Sequence, residues 1–206
     1  MRPSISSALL ITLFLLCFIH GATSQENLIR ESCRTFAKDD PNINFNFCTT
    51  SLQAAPASHC AALRGLGTIS FRLIRYNVTD TRCMIRQLLK GKKLDPYVRQ
   101  CLNDCFELYS DAIDTMKQAM KAYNTKRFAD ANIEISSIMD AATTCEDGFN
   151  ERKGVLSPLT KRNNNTFELS AIALNVMRIL QTRLSLHQLK MPLQQTFSVQ
   201  LACDLR

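Results

Sequence analysis

Residues 98–149 read VRQCLNDCFELYSDAIDTMKQAMKAYNTKRFADANIEISSIMDAATTCEDGF, and the spacing of the apolar and small residues in this stretch decides the fold. Val98, Leu102, Cys105, Tyr109, Ala112, Met116, Ala119 and Tyr123 alternate in steps of four and three. After a short turn near Thr125 the pattern resumes at Phe128, Ala131, Ile135, Ile138, Ala142, Cys145 and Phe149. A seven-residue repeat on two consecutive helices is the seam of neighbours in an antiparallel bundle. Cys105 and Cys145 both lie on the seams, each twenty residues from Thr125. Residues equidistant from the turn of a helical hairpin sit at one level, so the spacing predicts a cross-link between two core helices.

Working outward, Asp95-Pro96 starts the first of these helices, with Asp as cap and Pro in the first turn. Upstream, a long helix is predicted from His59 to Leu89. It has a weak point at Asn77-Val78-Thr79-Asp80 and stops at Gly91-Lys92-Lys93. Downstream, 154–165 reads as a loop with Ser157-Pro158 and three asparagines. A fourth helix is expected from Thr166 to Arg183, carrying Leu169, Ala173, Val176 and Leu180. The fold class is therefore all-α, an up-down-up-down four-helix bundle. Before it, two short helical stretches flank Asp39-Asp40-Pro41-Asn42, and Cys33 and Cys48 bracket that turn. The simplest reading is a small hairpin stapled at its middle, the bridge contributing about 3 kcal/mol in the chain-entropy model. The expected organisation is a leader over 1–24, the helical hairpin over 25–55, the bundle over 56–183 and a peripheral tail over 184–206, where Pro192 is expected to interrupt any helix.

The leader has Arg2, an apolar run from Ala8 to Ile19 and the small residues Ala22-Thr23-Ser24. That is a secretory signal peptide, too short to cross a bilayer. Its removal leaves 182 of the 206 residues, with 24 bases and 18 acids, a formal +6. The chain is read as secreted into the apoplast and cell wall, with no membrane span and no nucleic-acid partner. A basic surface favours an acidic partner or an anionic polysaccharide, but the charges read as spread over a solvated bundle surface. Nine cysteines become eight once Cys17 is gone, an even number that reads as disulfides in an oxidising compartment. By the level argument Cys83 can pair with Cys101 across the Gly91 turn, and Cys60 with Cys203 by elimination.

Catalysis has little to stand on. His59 and His187 have no acid and nucleophile in a recognisable pattern. Asp111 with Asp114, and Glu146 with Asp147, read as solvated helix-surface acids. No metal-ligand spacing or phosphate loop is present, so the chain is read as a non-enzyme with no cofactor and no metal. Two N-glycosylation sequons stand at Asn77-Val78-Thr79 and Asn164-Asn165-Thr166, the second in the polar loop.

The segment Cys101–Ala112, followed forty residues on by Cys145-Glu146-Asp147-Gly148-Phe149, resembles the plant invertase and pectin methylesterase inhibitor family. Cys33-Arg34-Thr35, Phe47-Cys48 and Ser51-Leu52 fit its first motif, and Ser157-Pro158 with the closing helix fits its end. The likeness covers about residues 26–182. Within the family it is strongest to the plane-tree pollen allergen type, at Gly65-Leu66-Gly67, Leu102–Cys105 and Thr144–Phe149. The resemblance implies the same hairpin-plus-bundle fold, with bridges Cys33–Cys48 and Cys105–Cys145. Cys60, Cys83 and Cys203 lie outside its usual pattern, and so does the tail.

It also implies a monomeric, non-catalytic protein that occludes the active site of a cell-wall invertase or a pectin methylesterase in a 1:1 complex. Invertase inhibitors can present a Pro-Lys-Phe triplet before the third bundle helix, and the matching positions here are Lys126, Arg127 and Phe128. As partner contacts they would offer cations to acidic groups and an aromatic to a pocket. As plain structure they would be turn charges and the first residue of a core seam. The competing function class is a non-inhibitory extracellular binding or signalling protein on the same bundle.

Overall fold

The structure, a computed structural model, describes residues 28–56 and 61–203, with side chains as far as Leu186. The leader with Cys17, His59, Cys60, and the side chains of His187 and Cys203 lie outside the described residues, and with them the Cys60–Cys203 pairing. The described residues form six helices and no strand. A short helix α1 over 28–39 and α2 (Phe45–Gln53) make the N-terminal hairpin; α3 (Leu63–Leu88), α4 (Pro96–Asn124), α5 (Phe128–Asn150) and α6 (Thr160–Cys203) make the bundle. Helix α3 packs on α4 and α6, and α5 packs on the same two helices, so α3 and α5 stand on opposite edges.

The local signals act as read. Asp95 accepts from the Tyr97 and Val98 amides at 2.9 and 3.3 Å, with Pro96 opening α4. Asn44 caps α2 by accepting from the Phe47 amide at 3.0 Å. Every seam residue of α4 and α5 except Val98 is buried. They close on Phe71, Ile74, Val78 and Ile85 of α3 and on Leu169, Ala173 and Met177 of α6. Cys105 and Cys145 are bridged, Cα atoms 4.9 Å apart. A loop of 40 residues closed in the denatured chain is worth about 4 kcal/mol in the chain-entropy model.

Cys33 and Cys48 are bridged as well. The hairpin they hold buries Ile29, Phe36, Ile43 and Leu52 against Leu66, Ile69, Ile172 and Val176. Its turn is tied to α6 by polar contacts: Arg178 pairs with Asp39 at 2.9 Å, Asn175 donates to Asp40 at 3.3 Å, and the Asn44 amide donates to Glu168 at 3.4 Å. Burial beneath the hairpin pushes the Glu168 carboxyl up.

Four expectations are corrected. Helix α6 begins at Thr160, so the three asparagines are helical. Asn163 is buried, accepts from the Tyr109 hydroxyl at 2.6 Å and donates to Glu146 at 2.6 Å, while Thr160 also donates to Glu146 at 2.6 Å. A polar run was read as loop because its partners lie on other helices. Second, the backbone stays helical through Pro192 to Cys203; a proline removes one amide donor and bends a helix without having to end it. Third, Cys83 and Cys101 are free thiols. Cys101 points to the Gly148 carbonyl of α5 at 3.4 Å, whereas Cys83 is half-buried beside Arg86. Equal height does not make two Cβ vectors face each other. Fourth, the charges are not spread evenly. Between Leu63 and Lys93 stand eight bases and one acid, while α5 holds five acids and no base.

The two tyrosines buried deepest between helices set an alkaline limit. Burial pushes Tyr109 and Tyr123 up to about 12, from the ordinary 10.0. Above pH 10 the unfolded chain releases protons that the folded chain keeps, so stability falls as pH rises through the interval to 12. Tyr109 alone accounts for a loss of up to about 1.4 kcal/mol per pH unit there. Denaturant unfolding should be flat from pH 7 to 9 and weaken steeply beyond 10, in step with tyrosinate absorbance.

Candidate functional site

The α4–α5 turn carries the three residues singled out from the sequence. Helix α4 ends with two backbone bonds, Lys126 N–H to the Tyr123 carbonyl at 3.0 Å and Arg127 N–H to the Ala122 carbonyl at 2.9 Å. This nested pair is a Schellman ending, and it requires left-handed backbone at the residue after the cap. That residue is Lys126, at φ 62°. The position ordinarily belongs to glycine, and a Cβ there costs about 1–2 kcal/mol. Sequence offered no sign of it, because the turn has neither Gly nor Pro.

The structure separates the triplet. Lys126 and Arg127 are exposed, while Phe128 is buried at 4 % exposure. The Phe128 ring lies 5.4 Å from that of Tyr123, which in turn stacks at 4.6 Å on Phe71 of α3. Phe128 is thus a core residue, and the expectation that it enters a partner's pocket is corrected. Arg127 donates to Asp130 at 2.7 Å, an exposed pair that offsets part of its charge. Lys126 has no ion pair, which leaves its ammonium the open cation at the tip.

The tip is held from below. The Tyr123 hydroxyl donates to the Arg64 carbonyl at 2.7 Å, and Arg64 donates to the Asn124 carbonyl at 3.0 Å. Gly67 makes this approach possible, since a Cβ there would lie 2.0 Å from the Tyr123 oxygen. The turn is therefore braced against α3 by a phenol, a guanidinium and an aromatic stack.

The other candidates fall into structural roles. Asp114 pairs with Lys117 at 2.6 Å, and that hydrogen bond holds its carboxyl low. Glu146 is occupied by Thr160 and Asn163, so the paired acids form no cleft. Asn77 is buried, and its amide nitrogen donates to the Arg162 carbonyl at 3.0 Å and to Thr166 at 2.6 Å. A glycan on that nitrogen has no room in this fold, which removes Asn77 as a modification site; Asn164 is exposed. Among the described residues no cluster of three or more His, Cys, Asp or Glu is placed to hold a metal, and no helix is long and apolar enough to cross a membrane.

The family model "Plant invertase/pectin methylesterase inhibitor" matches residues 27–176. The chain belongs to this family. Among relatives, a Platanus acerifolia protein named "Putative invertase inhibitor" is 38% identical over 176 residues, 85% of this chain and 98% of that one. Pectinesterase inhibitor 12 of Arabidopsis thaliana is 30% identical over 164 residues, 79% and 93% of the two chains. A crystal structure of a mutant form of an Arabidopsis pectin methylesterase inhibitor superposes with a TM-score of 0.60 at 21% identity, covering 69% of this chain and 95% of that one. At that identity the likeness concerns the fold, and it agrees with the hairpin and bundle described above.

The strained lysine generates a direct test. Lys126→Gly relieves the left-handed penalty at some cost in unfolded-chain entropy, and should raise stability by about 0.5–1 kcal/mol in thermal or denaturant unfolding.

Proposed function

We propose that the protein is a secreted, non-catalytic inhibitor of a plant cell-wall carbohydrate-active enzyme, invertase or pectin methylesterase, acting from the apoplast as a monomer in a 1:1 complex. The observation that carries this reading is the family match across 27–176, supported by inhibitor names on relatives aligned over most of their length. Invertase is favoured as the target, because the Platanus relative bearing that name is 38% identical against 30% for the pectinesterase inhibitor.

The contact is assigned to the α4–α5 tip. Lys126 projects an unpaired ammonium from a braced turn, and Arg127 adds a second cation next to it. Carboxylates are the groups such a pair recognises best, through charge-assisted hydrogen bonds. Phe128 contributes by fixing the turn from inside rather than by touching the enzyme. Because the turn is ordered before contact, little conformational entropy is lost on binding. On the secreted chain, Asn164 is the sequon left open to an N-glycan.

Titration of cell-wall invertase and of pectin methylesterase with the purified protein tests the reading. One of the two should be inhibited stoichiometrically, and Lys126→Glu with Arg127→Glu should weaken that inhibition by about tenfold or more while unfolding is unchanged. No effect on either enzyme at micromolar protein would instead support a non-inhibitory binding protein on the same bundle.

A further inference from the structure

The positive charge of this protein is concentrated on one helix edge. The eight bases and one acid between Leu63 and Lys93 sum to +7, equal to the formal charge of the entire chain. The one acid, Asp80, is engaged by Arg162 of α6. Arg72, Arg75, Arg82, Arg86 and Lys90 follow one another at three, seven, four and four residues, spacings that keep them on one side of a helix. From Arg72 to Lys90 the row is about 27 Å long at 1.5 Å per residue, and Lys92 and Lys93 extend it into the turn. None of these seven joins an ion pair, and all but the half-buried Arg82 are exposed.

A ring accompanies the row. Tyr76 is 65% exposed, with the Arg75 guanidinium 5.8 Å from its centroid. Beside it lies a hollow of about 310 Å³ whose walls include Pro56, Ile69, Arg72 and Leu73.

We propose that this edge of α3, from Arg72 to Lys93, is a binding site for a linear polyuronate, separate from the enzyme-facing tip. Guanidinium groups take carboxylates in bidentate pairs, and a regular row of them suits a polymer carrying one carboxylate per unit. An exposed tyrosine face suits the apolar face of a sugar ring, which a purely ionic polymer does not offer. A folded protein partner fits less well, because the edge is convex and lacks the buried apolar centre of a protein interface. A second copy of this chain fits poorly too. Of the five acids on the opposite edge, Asp130 is paired with Arg127 and Glu146 is hydrogen-bonded internally. Pectin, from which one of the two target enzyme classes takes its name, is a polymer of the proposed kind. Helix α3 starts beside the α4–α5 tip and ends about 39 Å away, so the Lys90–Lys93 end lies far from the enzyme contact and both ligands fit together.

Binding of fluorescent oligogalacturonate, measured by anisotropy without any enzyme present, tests the site independently of inhibition. The wild type should bind, with affinity falling as salt rises. Arg72→Gln, Arg75→Gln, Arg86→Gln and Lys90→Gln combined should weaken binding by about tenfold or more, and Tyr76→Ala by about threefold or more. The control Lys153→Gln with Lys161→Gln, and the tip variant Lys126→Glu with Arg127→Glu, should bind as wild type. A fully methyl-esterified oligomer should not bind. Retained binding in the four-residue variant, with its helical circular dichroism intact, would overturn the site. Dextran sulfate of matched charge binding as tightly, with no effect of Tyr76→Ala, would overturn the uronate assignment.

Discussion

The register between α4 and α5 is the constraint on which the rest of the bundle depends. It is fixed at both ends of the pair. At one end the Cys105–Cys145 bridge sets the level of the two seams. About 30 Å away, twenty residues along each helix, the nested backbone bonds of Lys126 and Arg127 set it again. Between these points the seam residues have one way to meet, and the faces they leave open receive α3 and α6. The bridge does not itself stiffen the tip, which lies at the far end of the helices. Local contacts do that, with Tyr123 bonded to α3 and sandwiched between Phe71 and Phe128.

A polar layer adds a second constraint at the disulfide end. Tyr109, Glu146, Asn163, Thr166 and Asn77 link four helices through short hydrogen bonds, each group satisfying another. Buried polar networks of this kind specify one arrangement because any slip leaves a donor or acceptor unpaired. The same layer explains why α6 must begin before the asparagines: Asn163 reaches Tyr109 and Glu146 only as part of the helix.

Heptad spacing made the α4 and α5 seams legible, and symmetry about Thr125 made their disulfide legible, because both follow from helix geometry alone. The Asp95-Pro96 start and the Cys33–Cys48 hairpin were readable for the same local reasons. The polar layer was not, since Asn77 and Asn163 look like surface residues until their partners on other helices are known. Nor was the split of Lys126-Arg127-Phe128, where a core seam and a contact motif overlap and only packing assigns the ring to the interior. The basic edge of α3 was present in the sequence but hidden by whole-chain charge. Counting by helix exposes it, because charges three, four and seven residues apart share a face.

Two surfaces with separate tasks emerge: a braced tip offering cations to an enzyme, and a basic edge offering a row of them to a polymer. Zero-length carbodiimide coupling within the complex of this protein and the enzyme it inhibits addresses that division most directly, since it joins a lysine only to a carboxylate within ion-pair reach. The account predicts that Lys126 is the dominant cross-linked residue and that Lys90, Lys92 and Lys93 remain free. Coupling through Lys90, Lys92 or Lys93 with Lys126 unmodified would contradict it.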